Sequence, residues 1–151
     1  MPKFYPLKVK DLYKDTEQCS VIEFDMPEDL KDKFKYKAGQ YLTLRETING
    51  EDIRRSYSLC SSPIDNEWKV AVKEIPDGKF STHVNQFLKK DDTLLVMKPM
   101  GRFGTAISEI PKNYIVFTAG SGITPILSMI KTHLAKEPNS TFKLFYLNRT
   151  V

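Results

Sequence analysis

The feature that most constrains the fold is a series of short segments, from the start of the chain to about Met100, in which apolar and polar residues alternate. Such alternation is typical of strands with one buried face. In VIEFDM, for example, Ile22 and Phe24 would point to one face and Glu23 to the other. The other segments are LKVKDLY, QYLTLR, IRRSYSL, EWKVAVKE and TLLVMK. About six short strands predict an antiparallel barrel or sandwich, and a barrel is favoured because closure removes the sheet edges.

The pattern changes after Pro111. The run YIVFT is a continuous apolar run, typical of a strand covered on both faces, and FKLFYL is interpreted as another buried strand. Between them, after AGSGITP, apolar residues at spacings of three and four predict a helix. These residues are Ile123, Ile126, Leu127, Ile130 and Leu134. We therefore expect a β-rich domain over residues 1–110 and one strand-helix-strand unit, the start of an α/β domain, over residues 111–151.

The composition argues against several classes of function. The net charge is only +4 and the lysines are spread from Lys3 to Lys143 without a basic stripe, so we do not expect nucleic-acid binding. The two cysteines, Cys19 and Cys60, have no C-x-x-C spacing, so we expect no metal or iron-sulfur site and no disulfide framework. There is no apolar run typical of a signal peptide or a membrane span, which predicts a soluble cytoplasmic protein.

The first candidate site is RRSYSLCSS, within a predicted strand. Alternation would place Arg55 and Tyr57 on one face and Ser56 and Ser58 on the other. A guanidinium fork suits a phosphate, a tyrosine ring can stack on an aromatic ligand, and hydroxyls can bond to ring nitrogens or carbonyls. The alternative is a surface strand on which Arg54 and Arg55 are simply solvated.

The second candidate site is VKEIPDGKFSTHVNQFL. Gly78 permits a tight turn, and Ser81 is expected to cap a short helix that runs to about Leu88. The free N–H groups of such a helix start, together with Lys73, would favour an anion. The alternative is an ordinary capped helix that closes one end of the barrel.

The third candidate site is TAGSGITP, between a predicted strand and a predicted helix. Gly120 and Gly122 would let the backbone approach a ligand closely, and the helix start favours a pyrophosphate. Pro125 stands where the dinucleotide-binding fingerprint has its third glycine, and proline is tolerated in the first turn of a helix.

These motifs together resemble the ferredoxin-NADP reductase superfamily, and most closely the reductase components of bacterial oxygenases of the phenylacetyl-CoA epoxygenase type. The flavin signature R-x-Y-S is matched by residues 55–58 and the phosphate loop G-x-x-S by residues 78–81, while AGSGITP matches the pyridine-nucleotide loop. YKAGQYL and PMGRF also match family turns. The resemblance implies a six-stranded antiparallel Greek-key barrel that binds flavin, followed by the first unit of a nucleotide-binding domain.

The resemblance also implies roles for individual residues. Arg55 would bind a flavin phosphate, Tyr57 would stack on the isoalloxazine ring, and Ser58 would bond near the flavin N5 as the catalytic contact. The remaining predicted flavin contacts are Ser56, Lys73, Gly78, Phe80, Ser81 and Thr82. The predicted nicotinamide-nucleotide contacts are Gly120, Gly122, Thr124 and Pro125, with Arg149 and Thr150 at the 2′-phosphate of NADPH.

The implied function is electron transfer from NADPH or NADH through FAD, with FMN as the alternative, to a ferredoxin or the iron-sulfur centre of an oxygenase. A 2Fe-2S cluster of its own would need a further C-terminal domain. No acid-base triad is required, so His83 and His133 are interpreted as surface helix residues. Two alternatives remain: a flavin-binding module without turnover, and an interaction domain that self-associates through the incomplete second domain.

Overall fold

The structure of the protein is a computed structural model that describes residues 3–148. The strands of the first sheet are β1 (Phe4–Thr16), β2 (Cys19–Asp25), β3 (Tyr41–Ile48), β4 (Glu51–Ser58), β5 (Lys69–Lys73) and β6 (Thr93–Met97). Two helices lie between them, α1 (Glu28–Lys31) and α2 (Lys79–Gln86). The rest comprises β7 (Asn113–Ala119), a 3₁₀ turn (Gly120–Gly122), α3 (Ile123–Lys136) and β8 (Thr141–Leu147).

The six strands form an antiparallel sheet in the order β4-β3-β6-β1-β2-β5. A bridge between Leu59, which follows β4, and Val70 of β5 joins the two ends of the sheet. The predicted six-stranded antiparallel Greek-key barrel is therefore confirmed. β1 is longer than predicted because its first residues pair with β6 and its later residues pair with β2.

The barrel interior is filled by the apolar positions of the alternating segments. Leu42 and Leu44 of β3 and Val70 and Val72 of β5 are all fully buried. Trp68 is also buried, and its indole N–H donates to the carbonyl of Phe34 over 2.8 Å. A buried indole usually finds such a partner. One continuous core therefore holds the strands in register.

Helix α2 packs on this core through Phe80 and Val84. The prediction that Ser81 caps it is wrong, because the helix starts at Lys79 and its N-cap, Gly78, makes no side-chain capping bond. The Ser81 hydroxyl instead accepts the N–H of Ile75 (3.2 Å) and donates to the carbonyl of Gly78 (3.0 Å). Ser81 therefore stabilises the turn that precedes the helix.

The second unit has the predicted strand-helix-strand form, with β7 and β8 parallel. The predicted burial is partly wrong. Ile115 and Phe117 are 64% and 71% exposed, so within residues 3–148 the sheet is covered on one face only. Leu127 and Leu134 of α3 are exposed as well. None of the helices in the described part of the chain is long and apolar enough to cross a lipid bilayer.

Ile126 of α3 is buried, but the helix also packs on the barrel through hydroxyl groups, which apolar spacing does not predict. The Ser128 hydroxyl donates to the carbonyl of Ser61 over 2.6 Å, and the hydroxyls of Ser62 and Thr132 lie 2.7 Å apart. All three hydroxyl side chains are buried. These bonds hold the middle of α3 at a fixed place on the barrel.

A buried carboxylate at the end of α3 ties the helix to the preceding segment. Glu137 accepts hydrogen bonds from the Ser108 N–H, the Ser140 hydroxyl, the His133 Nδ1 and the Tyr114 hydroxyl. Burial alone would raise the pKa of Glu137, but these bonds outweigh it and hold the pKa at about 2. The interpretation of His133 as a surface residue is wrong, because its side chain is 1% exposed.

Candidate cofactor site

Strand β4 carries the first motif, and Arg55 and Tyr57 share one of its faces as predicted. Directly opposite residues of an antiparallel pair share a face, and Tyr57 and Arg55 are opposite the buried Leu42 and Leu44. Both therefore lie on the face that continues into the core, Tyr57 half-buried and Arg55 exposed. Ser56 points the other way.

The opposite face of β4 carries Ser56 and Ser58, which alternate along the strand with Arg55 and Tyr57. The Ser56 hydroxyl lies 2.9 Å from the hydroxyl of Thr43 on β3, in a cross-strand hydrogen bond. Ser58 is half-buried and is the last residue of β4, one residue before the Leu59 bridge that closes the barrel. The structure therefore separates Ser56 from Arg55 and Tyr57 and leaves Ser58 at the junction of β4 and β5.

The two adjacent arginines have different surroundings. Arg54 forms an ion pair with Asp52 (3.1 Å) and lies over the ring of Phe4, 5.3 Å from its centroid. Arg55 donates to the carbonyl of Arg54 (2.7 Å) and, within residues 3–148, has no carboxylate partner. Arg54 is therefore engaged in local structure, whereas the charge of Arg55 is available for an anion.

The ring of Tyr57 packs against the buried ring of Phe80. The two ring centroids are 5.9 Å apart, and Phe80 is 1% exposed. Burial raises the pKa of Tyr57 to about 12, and the Arg55 charge opposes this only in part. Phe80, a predicted contact for the flavin ring edge, therefore lies in the core, and the half-exposed ring of Tyr57 is the surface that a ligand can touch.

The predicted phosphate loop is a tight turn that leads into α2. A Cβ atom at Gly78 would collide with the side chains of Ile75 and Ser81, so the turn has no room for a larger residue. The Thr82 N–H donates to the carbonyl of Gly78 over 2.8 Å, while the preceding N–H groups of the helix start have no intrahelical acceptor. Lys73 is exposed at the end of β5, just before this turn.

A cavity of about 320 Å³ lies between the outer surface of the barrel and the second unit. Three predicted site residues line it: Lys73, Gly120 and Thr124. The Thr124 hydroxyl donates to the carbonyl of Ser121 over 2.9 Å, within the glycine turn. The structure therefore brings the nucleotide-loop residues next to β5 and the end of the flavin motif.

Gly122 lies in the same 3₁₀ turn and Pro125 lies in the helix that follows, and neither lines the cavity. A Cβ atom at Gly122 would lie 2.9 Å from the Thr118 hydroxyl, so the glycine allows the turn to pack on β7. Pro125 is half-buried in the first turn of α3, where its missing N–H is not needed. Arg149 and Thr150 lie outside the described residues, and their predicted contact with a 2′-phosphate stays a prediction.

Most of the cavity residues were not predicted as site residues, and two of them, Tyr146 and Cys60, make hydrogen bonds at the cavity. The Tyr146 hydroxyl donates to the carbonyl of Gly120 over 3.1 Å and so holds the glycine turn. Its position could be found only from the parallel register that pairs Tyr146 with Thr118. Cys60 lines the cavity as well, its thiol donates to the carbonyl of Lys69 (3.4 Å), and burial raises its pKa to about 11.

Comparison with known proteins identifies the family. Residues 6–104 match the family model described as oxidoreductase FAD-binding domain, which is more than half of the chain. The chain belongs to this family. The oxidoreductase FAD-binding domain covers the barrel, helix α2 and the motifs around Arg55 and Gly78, so FAD is the cofactor that the family description names, as predicted.

Individual relatives of this FAD-binding domain come from oxygenase systems. The chain is 40% identical to one subunit of the 1,2-phenylacetyl-CoA epoxidase of Escherichia coli (strain K12), over 99% of the chain and 42% of that protein. It is 37% identical to the ferredoxin reductase component of 3-ketosteroid-9-alpha-monooxygenase of Rhodococcus rhodochrous, over 95% and 40%. Phthalate dioxygenase reductase has the same fold, with a TM-score of 0.77 and 29% identity over 97% of this chain and 44% of that one.

The predicted resemblance to oxygenase reductases is thus confirmed, and the chain spans about two fifths of the length of the curated relatives that it matches. The residues of this FAD-binding domain also fit the cofactor physically. An unpaired guanidinium and an open helix start suit a diphosphate, and a half-exposed aromatic ring suits a flavin. Arg55, the start of α2 and Tyr57 supply these three features.

Proposed function

We propose that the chain is the flavin-binding part of a reductase that passes electrons from NADPH or NADH through FAD to a one-electron acceptor. The acceptor would be a ferredoxin or the iron-sulfur centre of an oxygenase. The observation that carries the proposal is the placement of Arg55, which has no carboxylate partner among residues 3–148, beside the half-exposed Tyr57. Membership in the FAD-binding oxidoreductase family supports it.

The protein would act by position and electrostatics. Arg55 and the first turn of α2 would hold the diphosphate, the ring of Tyr57 would orient the flavin, and Ser58 would provide the hydroxyl nearest the reacting edge. FAD supplies the redox chemistry when it is bound, accepting a hydride and releasing electrons singly. Burial raises the pKa of the Tyr57 phenol to about 12, so the phenol stays neutral in alkaline solution as well as at physiological pH.

The nicotinamide nucleotide would approach from the second unit. Gly120 and Thr124 line the cavity beside β5, while Gly122 lies in the same 3₁₀ turn and Pro125 in the helix that follows. The division into a flavin domain over residues 1–110 and a nucleotide unit over residues 111–151 is part of the proposal. So is the preference for NADPH, which rests on the sequence at Arg149 and Thr150, and so is the location in the cytoplasm.

Anaerobic reduction of the FAD-loaded chain tests the proposal. NADPH or NADH is added, and the absorbance of oxidised flavin is followed with time. We expect bleaching by at least one nucleotide, with NADPH faster if Arg149 serves as proposed. A chain that binds FAD and is bleached by dithionite but by neither nucleotide would be a flavin-binding module without turnover.

Self-association is a second proposal, and the exposed sheet face of the second unit favours it. Phe117 of β7 and Phe145 of β8 stack at 4.7 Å between centroids, and both are exposed, with Leu147 beside them on β8. Contiguous exposed apolar groups of this kind mark interaction surfaces. We expect concentration-dependent sedimentation. A monomer at every concentration would contradict the proposal.

A further inference from the structure

Three polar side chains, one in the segment before β7 and two at the end of α3, form a line of hydrogen bonds away from the flavin motifs. The Thr105 hydroxyl lies 3.1 Å from Nε2 of His133, and Nδ1 of His133 lies 2.9 Å from Oε1 of Glu137. A hydroxyl within hydrogen-bond reach of a base, which is itself oriented by a third group, is the arrangement that activates a nucleophile. The three side chains therefore have the order and the spacing of a hydrolytic triad.

The carboxylate decides where the protons of the triad lie. Burial raises the pKa of Glu137, but the hydrogen bonds that it accepts outweigh burial and hold the pKa at about 2, so the group is ionised at neutral pH. An ionised carboxylate can only accept, so Nδ1 of His133 donates to it. In the neutral imidazole Nε2 is then an acceptor, and the Thr105 hydroxyl donates to it. The hydroxyl proton therefore lies between the nucleophile and its base.

The base is held in one orientation by its surroundings. His133 is 1% exposed, and the centroid of its ring lies 5.3 Å from that of Tyr114 and 5.9 Å from that of Phe142. Tyr114 also donates to Glu137 over 2.9 Å. Because the base and the carboxylate are fixed and shielded from water, they need little reorganisation during a reaction.

The segment that carries Thr105 is fixed on both sides of this residue. The φ of Gly104 is +142°, and a Cβ atom there would lie 2.8 Å from the carbonyl oxygen of Ala38, so only glycine lets the chain pass. On the other side, the N–H of Ser108 donates to Glu137 over 2.7 Å. Thr105 itself is exposed. Its hydroxyl is therefore held against the buried base and is open to a ligand.

A cavity of about 370 Å³ is lined by both Thr105 and His133. This volume is within the range of about 300–1,000 Å³ that is usual for small-molecule sites. Lys37 and Lys136 line the cavity as well, and neither has a carboxylate partner within residues 3–148. None of the described residues that line the cavity is acidic. The cavity therefore favours a small ligand that carries a negative charge.

Two backbone N–H groups at the nucleophile are available to stabilise negative charge. The N–H groups of Thr105 and Ala106 donate to no acceptor in the part of the chain that the structure describes. Ala106 lines the same cavity. Such N–H groups beside a nucleophile can stabilise the oxyanion that forms when a hydroxyl attacks a carbonyl carbon. The segment thus supplies the donors that acyl transfer requires.

We propose that Thr105, His133 and Glu137 form a second active site, which hydrolyses small esters that carry a negative charge. Thr105 Oγ1 attacks the ester carbonyl carbon while Nε2 of His133 takes the hydroxyl proton, and Glu137 positions the imidazole. The bond from the carbonyl carbon to the alcohol oxygen then breaks, and the alcohol leaves with that proton. Water gives a proton to His133 and attacks the acyl-threonine, which releases the acid and restores the Thr105 hydroxyl. The reaction consumes one water and is independent of FAD.

Release of nitrophenolate from two acetate esters tests the proposal. One is para-nitrophenyl acetate, which is neutral, and the other is the same ester with a carboxylate on the nitrophenyl ring. Thr105→Val keeps the shape of the side chain and removes the nucleophile, whereas Thr105→Ser keeps a hydroxyl. The control variant is His83→Gln, because His83 is the only other histidine and is half-buried. Circular dichroism shows which variants are folded.

We expect the charged ester to be hydrolysed faster than the neutral one, with kcat/KM lower by about a hundredfold or more in Thr105→Val. Thr105→Ser should keep activity, and His83→Gln should stay within about twofold of the unmodified chain. Glu137→Gln should lower kcat and leave KM within about twofold, because Glu137 positions the base and does not bind the ester. Acid quenching during turnover should trap an acetyl group on Thr105, which mass spectrometry of the peptides locates.

Hydrolysis by folded Thr105→Val at the rate of the unmodified chain would overturn the proposal. So would acetyl groups on lysines but not on Thr105, a loss in His83→Gln equal to that in Thr105→Val, or faster hydrolysis of the neutral ester. The position of the acetyl group decides the matter even where a variant does not fold. Saturating FAD should leave the rate unchanged, and a rate that follows FAD occupancy would contradict a separate site.

Discussion

The hydroxyl pair Ser62 and Thr132 should contribute measurably to the attachment of α3 to the barrel. Ser62 is fully buried and its hydroxyl lies 2.7 Å from that of Thr132. The Thr132 hydroxyl donates to the carbonyl of Ser128 over 2.6 Å, so its oxygen must accept the proton of Ser62. The two residues therefore play unequal parts in the pair, as acceptor and donor.

Because the two hydroxyls play different parts, the two single variants should lower the free energy of unfolding by different amounts. Thr132→Val keeps the shape but leaves the Ser62 hydroxyl buried without its acceptor, which costs about 1–3 kcal/mol. Ser62→Ala removes the donor and leaves the bond from Thr132 to Ser128 intact, which costs about 0.5–1.5 kcal/mol. In the double variant no Ser62 hydroxyl remains to be left unsatisfied. The double variant should therefore be more stable than the sum of the single effects predicts, by about 1 kcal/mol.

The free energy of unfolding is measured in urea for the unmodified chain, the two single variants and the double variant. Trp68 is the only tryptophan, is buried, and therefore reports the barrel by fluorescence, while circular dichroism reports α3. For a chain of this length, each kcal/mol should also lower the melting temperature by about 2–4 °C. Single effects that add within about 0.3 kcal/mol would show that the two hydroxyls do not interact. An unchanged stability of Thr132→Val would show that the Ser62 hydroxyl does not depend on Thr132 as its acceptor.

Three further predictions concern titratable groups. Because burial raises the pKa of Cys60 to about 11, its thiol should react slowly with iodoacetamide at pH 8 in the folded chain, and alkylation at the rate of an unfolded control would contradict this. The pKa of Glu137 falls from 4.5 to about 2 on folding, so its stabilising contribution is present above pH 4.5 and lost as pH falls toward 2. Glu137→Gln should flatten the loss of stability over that range, and an unchanged acid limb in urea titrations would be inconsistent with it. Tyr57→Phe keeps the ring, and should bind FAD within about threefold of the unmodified chain; a loss of tenfold or more would assign a role to the hydroxyl.

The strands could be predicted because burial imposes a simple pattern on them. Leu42 and Leu44 alternate with polar residues since only one face of β3 meets the core. The full extent of β1 could not be predicted, because Phe4 and Thr16 pair with different strands, which local pattern does not show.

The buried face of α3 was only partly predictable from apolar spacing, which included the buried Ile126. Ser128 and Thr132 face the barrel because the loop at Ser61 and Ser62 offers matching hydrogen-bonding groups. Leu127 and Leu134 are exposed instead. The interface depends on complementarity between two segments that are far apart in sequence, and such complementarity leaves no periodic signal in either one.

The candidate site was partly predictable. The spacing of Arg55 and Tyr57 placed them correctly on one face of β4. That Arg54 pairs with Asp52 while Arg55 does not depends on side-chain packing around Phe4. That Lys37 and Arg102 line one groove could not be predicted, because they come from loops that only the folded chain brings together.

Titration of FAD against the purified chain, followed by flavin fluorescence, shows whether Arg55 and Tyr57 form a flavin site. We expect saturable quenching, about tenfold to a hundredfold weaker binding for Arg55→Ala, and a change below about threefold for Arg54→Ala, because a charged hydrogen bond contributes about 1.5–3 kcal/mol. Equal losses in both variants, or no quenching by a chain shown to be folded by circular dichroism, would contradict this expectation.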